Sequence, residues 1–313
     1  MNKSRLVSTA VGTLFVLSLM FAARAHAQTN EQALLDAAAE GNAGLVSMLL
    51  NLHLDPNAKD SAGYTALMYA AQNGHVEVVT ALLDRGADVN AASGDGWNAL
   101  LLTALGGYGP VATLLLERGA DPNSALDIGF TALMIASARG NAEAAEALLA
   151  GGASIDAALS DGRTALIAAA EGGHVDAIRV LLEHGADPNL RATGGGTAVT
   201  SAGRGGFTEA LKLLGAAGAV FTSEVDEAAE VDSCPAMELP DSLQDITVQG
   251  QIVVELVVDT TGRVEQESVR VISSPHPGLA APVEQLFRGC AYKPGKVGGV
   301  PVRVRLRQGL NLP

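Results

Sequence analysis

A block of 33 residues recurs along this 313-residue chain, and its period limits the possible folds more than any other feature. Each copy opens with a glycine, continues with a Thr-Ala-Leu triad or a close variant, and reaches a second glycine before a Leu-Leu pair. A unit of this size cannot bury its own apolar face, so neighbouring units must stack and share a core. The period therefore predicts a solenoid. The triads begin one period apart, at Thr65, Asn98, Thr131, Thr164 and Thr197.

The second copy shows the unit most completely and reads G-Y-T-A-L-M-Y-A-A-Q-N-G-H-V-E-V-V-T-A-L-L-D-R-G-A-D-V-N-A from Gly63 to Ala91. This pattern resembles the ankyrin repeat, in which a turn is followed by two antiparallel helices. Ala replaces the Pro of the family's T-P-L-H signature, but Thr or Asn before the first helix can cap it without Pro. The glycine after the Leu-Leu pair suits the left-handed backbone that ends the second helix. With a weaker first copy and a divergent sixth, the resemblance implies six repeats over residues 28–221.

The N-terminus has the pattern of a secretory signal peptide. Lys3 and Arg5 precede an apolar run from Leu6 to Ala23, and Ala25-His26-Ala27 forms an A-x-A cleavage site before Gln28. Residues 1–27 are therefore predicted to be removed, which places the mature protein in the periplasm. Because the apolar run is almost long enough to span a bilayer, an uncleaved inner-membrane anchor facing the periplasm remains the alternative.

The charge of the chain is strongly acidic. Its formal net charge is −14, and residues 28–225 contain nine basic and 22 acidic side chains. Such a surface repels phosphate backbones and anionic lipids, so nucleic acid is excluded as a partner, and a membrane is expected only if the leader is retained. High solubility is the simplest explanation of the charge, with recruitment of a basic partner as the alternative.

The 33-residue period ends after Phe221, and the pattern then changes. An acidic stretch with prolines predicts a linker over residues 222–245. Apolar residues alternate from 252 to 258, and Val264, Val269 and Val271 predict a second strand that forms a hairpin with the first. Helical spacing over 279–290 predicts a helix. Alternation over 302–307 predicts a last strand whose polar face carries Arg303, Arg305 and Arg307.

Three segments of this region together form a recognisable pattern: G-Q-I-V-V-E-L-V-V-D-T-T-G-R-V from Gly250 to Val264, V-I-S-S-P from Val271, and Y-K-P-G from Tyr292. They resemble the C-terminal domain of TonB-type energy transducers. The resemblance implies a small α/β domain over residues 246–313 that binds other envelope proteins and does no chemistry. A transducer's long Pro-rich segment and its Ser-x-x-x-His anchor pattern are absent from the sequence.

The two cysteines, Cys234 and Cys290, both fall in this region. An even count in an exported protein favours a disulfide. A bond across their separation of 56 residues would stabilise the fold by about 4 kcal/mol if chain entropy dominates.

Motifs of enzymes and metal sites are missing from the sequence. There is no His-x-x-x-His or Cys-x-x-Cys spacing and no G-x-S-x-G elbow, and Gly194–Gly196 lack the Lys-Ser or Lys-Thr of a phosphate loop. His75 and His174 occupy repeat turns, where a structural role is expected. We therefore expect no catalytic residues, metal, cofactor or small-molecule substrate; a small-molecule enzyme is the remaining rival.

The residue after each opening glycine is the strongest candidate for binding a partner. These residues are Tyr64, Trp97 and Phe130, here called the aromatic row, and then Arg163. The ankyrin resemblance implies that these residues align on the concave side, and aromatic residues and Arg dominate protein interfaces. The alternative is that they pack on one another to rigidify the turns. Neighbouring positions extend the candidate surface and mix polar with apolar groups: Gln72, Asn73, Asp95, Asp127, Ile128, Arg139, Asp161 and Glu171.

The sequence thus predicts a non-enzymatic periplasmic scaffold of the bacterial envelope. Its ankyrin concave face would recognise a protein partner, and its TonB-like domain would bind a second envelope component. The alternative function is a membrane-anchored TonB-type energy transducer that engages outer-membrane receptors.

Overall fold

The computed structural model describes residues 30–221, 229–235, 250–297 and 299–312. The predicted signal peptide, residues 1–27, lies outside the described residues. The chain divides into two compact units. The first runs through Ala136 and includes Asn141–Ser154, and the second contains Ser137–Gly140 and continues from Ile155. The division falls within the repeats, so the second unit holds the last repeats together with the C-terminal domain.

Six helix pairs follow one another along the repeat region, which confirms the predicted solenoid of six ankyrin-like repeats. The pairs are α1 (30–39) and α2 (Ala43–Asn51), α3 (Ala66–Gln72) and α4 (Val76–Asp84), α5 (Ala99–Gly106) and α6 (Gly109–Glu117), α7 (Ala132–Arg139) and α8 (Ala142–Ala150), α9 (Ala165–Glu171) and α10 (Val175–Glu183), and α11 (Ala198–Gly205) and α12 (Thr208–Ala216).

The first helix of each full repeat begins at the residue that the triad predicts. Thr65 Oγ1 accepts a hydrogen bond from the Met68 N–H at 3.3 Å, and Asn98 Oδ1 accepts one from the Leu101 N–H at 2.9 Å. Each bond satisfies an N–H that the first helical turn leaves without a partner. The expected N-caps are thereby confirmed.

The Leu-Leu pairs supply the core of the solenoid. In the second to sixth repeats, one leucine of each pair is fully buried, whereas its neighbour is only partly buried. A buried leucine stabilises the fold by about 1.5–3 kcal/mol relative to an exposed one. Burial of one leucine per repeat therefore helps to hold successive repeats together. The fully buried leucines of these pairs are Leu82, Leu115, Leu148, Leu181 and Leu214.

The turn between the two helices of a repeat needs glycine for two reasons. Gly74 has a φ of +77°, a conformation that side chains disfavour. A Cβ atom at Gly74 would also lie 2.5 Å from the ring of Tyr108, which packs over it from the following repeat. Gly173 is in the same situation beneath the ring of Phe207, also at 2.5 Å.

Polar side chains join each repeat to the next at a second point. Asn57 Nδ2 donates to the Gly86 carbonyl at 3.3 Å, and its Oδ1 accepts from the Asp88 N–H at 2.7 Å. Asn90 repeats both bonds one period later, each at 3.1 Å. We call the residues at this position the ladder residues: Asn57, Asn90, Asn123, Asp156 and Asn189.

The C-terminal domain is a small α/β structure, as the sequence predicts. A three-stranded antiparallel sheet has the order β3-β2-β7, while β1 pairs with β4 and β5 pairs with β6. One helix, α13, packs its buried Val283 and Phe287 into the core formed with the sheet. The elements are β1 (Glu230–Ser233), β2 (Gly250–Val258), β3 (Arg270–Ser273), α13 (Ala280–Arg288), β4 (Ala291–Lys293), β5 (Lys296–Val297), β6 (Val300–Pro301) and β7 (Val304–Leu312).

The strands differ in extent from those that the sequence predicts. The second strand begins only at Arg270, because residues 266–268 form a 3-10 turn in which the Ser268 hydroxyl accepts from the Val257 N–H at 2.8 Å. The last strand is later and longer than residues 302–307. Strand β1 falls inside the segment predicted as a linker, so that part of it is paired with β4. Cys234 follows β1 and is joined to Cys290 by a disulfide.

The sixth repeat is joined to the C-terminal domain within the second unit. Phe221, only 1% exposed, donates its N–H to the Arg303 carbonyl at 2.7 Å and accepts from the Arg305 N–H at 2.6 Å. The Arg303 guanidinium donates to the Gly218 carbonyl and to both carboxylate oxygens of Glu265. Backbone pairing, burial of Phe221 and a charged hydrogen bond from Arg303 to the Gly218 carbonyl thus hold this joint together, and the ion pair with Glu265 fixes the Arg303 guanidinium from within the C-terminal domain.

Candidate protein-binding surface

The aromatic row occupies one position in three successive turns. The carbonyl oxygens of Tyr64, Trp97 and Phe130 each accept a hydrogen bond from the backbone N–H four residues earlier, at 3.0, 2.8 and 3.0 Å. All three side chains are half-buried. The leucine and alanine core lies elsewhere in each repeat, so these turns present aromatic surface that the core does not use.

The turns of the first unit also carry an exposed apolar residue and two acids. Ile128, two residues before Phe130, is 71% exposed. Asp95, one period before Ile128, and Asp127, the residue before Ile128, are also exposed. A large exposed aliphatic side chain beside an aromatic one is a typical interface anchor when polar groups surround it.

The structure adds two residues to this surface that the sequence analysis does not single out. The Tyr69 hydroxyl donates to Asp60 Oδ2 at 2.7 Å, and the Tyr69 ring lies 5.6 Å from that of Tyr64, centroid to centroid. Asp60 Oδ1 accepts from the backbone N–H groups of Tyr64 and Ala62 at 2.9 and 2.8 Å. The side chain that starts the aromatic row is therefore fixed by a local network.

This network changes the acidity of its members. Partial burial acts to raise the pKa of Asp60, but hydrogen bonds from Tyr69 and from the Tyr64 and Ala62 backbone outweigh it and lower that pKa. The bond to the Asp60 carboxylate, assisted by burial, raises the pKa of Tyr69 to about 12. Burial, with the charges of Asp95 and Asp60, raises the pKa of Tyr64. Asp60 is consequently charged, and both tyrosines are protonated, at neutral pH.

Gln72 and Asn73, at the end of α3, differ in whether their side chains bond to the rest of the fold. Gln72, the last residue of α3, is exposed. Asn73 Nδ2 instead donates to the Ala39 and Tyr69 carbonyls at 3.2 and 3.1 Å. Asn73 therefore helps to attach its repeat to the preceding one, and Gln72 is the freer of the two for a partner.

The remaining candidates belong to the second unit. Arg163 Nε donates to Asp161 Oδ2 at 2.8 Å, and its Nη1 lies 4.0 Å from Glu171 Oε2. A hydrogen bond from the Arg163 backbone, together with the guanidinium, lowers the pKa of Asp161. Arg139, at the end of α7, is exposed. Three of the four predicted residues in this unit thus form one charged group.

The next feature concerns metal binding and the two turn histidines. No group of three or more His, Cys, Asp or Glu side chains in this part of the chain could hold a metal ion. His75 and His174 each place Nε2 3.0 Å from a carbonyl oxygen of the preceding repeat. They are structural turn residues, as the sequence predicts.

Comparisons with known proteins fit this geometry. The family model for ankyrin repeats matches residues 9–93, 34–126, 91–158 and 133–224. Because these matches extend over more than half of the sequence, the chain belongs to the ankyrin repeat family. The family model for the Gram-negative bacterial TonB protein C-terminal domain matches residues 235–310, which identifies the second domain.

A solved structure supports the first assignment. The chain is 30% identical to the human ASB11 ankyrin repeat domain, with a TM-score of 0.55 over 59% of this chain and 83% of that one. Comparison with curated proteins gives no match.

The two families fix the function only in general terms. Ankyrin repeats indicate protein–protein interaction, the TonB C-terminal domain indicates a bacterial envelope protein, and neither family is catalytic. The disulfide fits an oxidising compartment. Across the described ranges, no helix is long and apolar enough to cross a membrane.

Proposed function

We propose that the protein is a non-enzymatic periplasmic scaffold. The concave face of its ankyrin repeats binds a protein partner, and its TonB C-terminal domain binds a second component of the envelope. The observation that carries the first half is the aromatic row. Tyr64, Trp97 and Phe130 share one turn position, remain half-buried, and are not needed to fill the core.

Preformed turns favour binding by this surface. The Asp60–Tyr69 bond holds the Tyr69 ring beside that of Tyr64, and the Trp97 backbone N–H donates to Ser93 Oγ at 3.1 Å, which fixes the turn. Side chains that are ordered before association lose less conformational entropy when the partner binds. Ile128 extends the apolar surface, and the turns that carry the row also expose Asp95 and Asp127, which suits a partner with basic groups beside an apolar centre.

The test compares two aromatic truncations in the full-length protein. The partner is first captured from an envelope extract with the wild-type chain and identified. Trp97→Ala should then weaken its binding by about 30-fold or more, as expected for a hot-spot residue worth roughly 2 kcal/mol. Denaturant unfolding should show a loss well below the roughly 3–5 kcal/mol of a core aromatic.

The matched control is Tyr108→Ala. Tyr108 is 37% exposed but lies in a helix–helix turn rather than in the aromatic row, so its truncation should leave affinity unchanged. A Trp97→Ala protein with reduced stability and normal affinity per folded molecule would contradict the proposal and assign the aromatic row to packing.

The alternative function, a membrane-anchored energy transducer, is favoured by one feature, the long apolar run from Leu6 to Ala23. The two functions predict different mature N-termini. Cleavage after Ala27 gives a periplasmic protein that begins at Gln28, whereas an intact N-terminus in the membrane fraction supports the transducer. N-terminal sequencing of both fractions distinguishes them.

A further inference from the structure

Three exposed arginines line an open surface cavity of about 510 Å³ in the second unit. Arg305 and Arg307 extend from β7, and Arg191 comes from the segment just before the sixth repeat. Glu255 of β2 completes the lining. The volume lies within the range of small-molecule sites, and the lining side chains are all charged.

These arginines are not equally engaged. Arg307 Nε lies 3.1 Å from Glu255 Oε2. Within the ranges that the structure describes, the guanidinium groups of Arg191 and Arg305 have no hydrogen bond or ion pair. Arg303, on the same strand, contrasts with them because Glu265 and the Gly218 carbonyl occupy its donors. The cavity thus contains guanidinium donors that the fold does not use.

The charge of the cavity opposes that of the chain. Three guanidinium groups and one carboxylate give the lining a net charge of +2, whereas the whole chain carries −14. Like charges held around one cavity repel each other unless an anion neutralises them. A guanidinium presents parallel N–H donors that match the oxygens of a carboxylate or phosphate group.

We propose that this cavity binds a small dianion whose charge is carried by carboxylate or phosphate oxygens. Two negative charges match the net charge of the lining. The acidic surface of the rest of the chain disfavours long phosphate polymers and anionic membranes, and the cavity admits a small molecule. This site does not depend on the aromatic row or on the proposed protein partner.

The experiment is calorimetric titration of the full-length protein with two dianions at pH 7.5 and low ionic strength. Phenyl phosphate represents phosphate monoesters, and malonate represents dicarboxylates; acetate is the monoanion control. Saturable binding of either dianion, with acetate much weaker, supports the site, and the tighter of the two identifies the chemical source. The proposed site is overturned if neither dianion binds saturably, or if acetate binds as tightly as malonate.

Variants then locate the binding. Arg191→Gln and Arg305→Gln should each weaken it about tenfold or more, since each removes a charged hydrogen-bond donor. Arg179→Gln, an exposed arginine on α10, is the matched control and should have no effect. An equal loss in Arg179→Gln would show general charge attraction and overturn the site.

One further variant tests the site in the opposite direction. Glu255→Gln removes the carboxylate that competes for Arg307, so dianion binding should become several-fold tighter. Weaker or unchanged binding in a folded Glu255→Gln protein contradicts the proposal. Thermal melts of every variant establish that the compared proteins are folded.

Discussion

Two kinds of joint occur in the molecule, one between successive repeats and one between the last repeat and the C-terminal domain. Both use a glycine carbonyl as hydrogen-bond acceptor, but the donors differ. Between repeats, a ladder asparagine donates to the glycine carbonyl of the next repeat, as Asn57 does to Gly86. At the end of the solenoid, the Gly218 carbonyl accepts from Asn189 at 3.2 Å and also from the Arg303 guanidinium. The same carbonyl therefore joins the fifth repeat to the sixth in the regular way and the sixth repeat to the C-terminal domain through a charged hydrogen bond.

The difference shows what a terminal repeat requires. An internal repeat buries its apolar faces against two neighbours, whereas the sixth has no following repeat. Phe221 fills this place by pairing its backbone with β7 and burying its ring. The C-terminal domain thus serves as the cap of the solenoid in addition to being a binding module.

The strongest way to break the last joint is Phe221→Ala. Phe221 is the largest fully buried side chain among the described residues, so its truncation should cost about 3–5 kcal/mol of unfolding free energy. Denaturant unfolding of the full-length protein measures the loss. Phe130→Ala, a half-buried aromatic of a regular turn, is the control and should cost clearly less. Equal losses would mean that apolar burial does not distinguish the two joints.

The charged hydrogen bond of the last joint, with the ion pair that orients its donor, is tested by Arg303→Gln. The substitution removes donors from the Gly218 carbonyl and leaves Glu265, 31% exposed, without its ion pair. A loss of about 1–3 kcal/mol is expected for charged hydrogen bonds in this partly screened position.

Two further variants sharpen this test. Arg305→Gln, on the same strand but without a partner for its side chain, should change stability by less than about 0.5 kcal/mol. A double-mutant cycle with Glu265→Gln should give a coupling energy above about 0.5 kcal/mol. Additive effects of the two substitutions would exclude the ion pair as a stabilising contact.

A regular turn can be weakened by acid. Because its hydrogen bonds lower the pKa of Asp60, the stability that they provide is complete above the unfolded pKa of about 3.9 and is lost as the pH falls through the lower folded value. Asp60→Asn should therefore cost about 1 kcal/mol at pH 7 and progressively less below pH ~4. Urea unfolding between pH 7 and 3 checks this, with the exposed Asp95→Asn as control. A cost that stays constant with pH would refute it.

The smallest expected effect is an increase in stability from a substitution at a ladder residue. Asp156 accepts from the Asp187 N–H at 3.1 Å but has no N–H to donate to Gly185, the equivalent of Gly86. Asp156→Asn should add that bond and stabilise the protein by about 0.5–1 kcal/mol. The reverse change, Asn90→Asp, should remove one and destabilise by a similar amount. If the melting temperature shifts in the same direction for both variants, the ladder hydrogen bonds do not stabilise the protein as expected.

The sequence predicts the repeat region well because every unit repeats the same local signals. Caps such as Thr65 and Asn98 recur one period apart, so an ambiguous copy is identified by its neighbours. The same regularity predicts the shared position of the aromatic row. It does not reveal the Tyr69–Asp60 bond, which occurs in one repeat and depends on the exact path of the turn.

The C-terminal domain has no repeat to support its weak signals. Strand β1 is short and fully exposed, and its register is set by Lys293 of β4, far along the chain, so alternation cannot identify it. Sequence also places three arginines on one strand face without distinguishing them. Only the structure shows that Arg303 holds the last joint, whereas Arg305 and Arg307 line a cavity.

The ladder has a consequence for how such a chain can change in length. Asn57 and Asn189 each donate to a glycine 29 residues further on, although the glycine that Asn189 reaches, Gly218, also accepts from the C-terminal domain. Recombination between two repeats in register would delete or duplicate 33 residues and leave this donor–acceptor spacing intact. The attachment of the C-terminal domain would then survive a shorter or longer solenoid, so the number of repeats can evolve separately from the module that ends them.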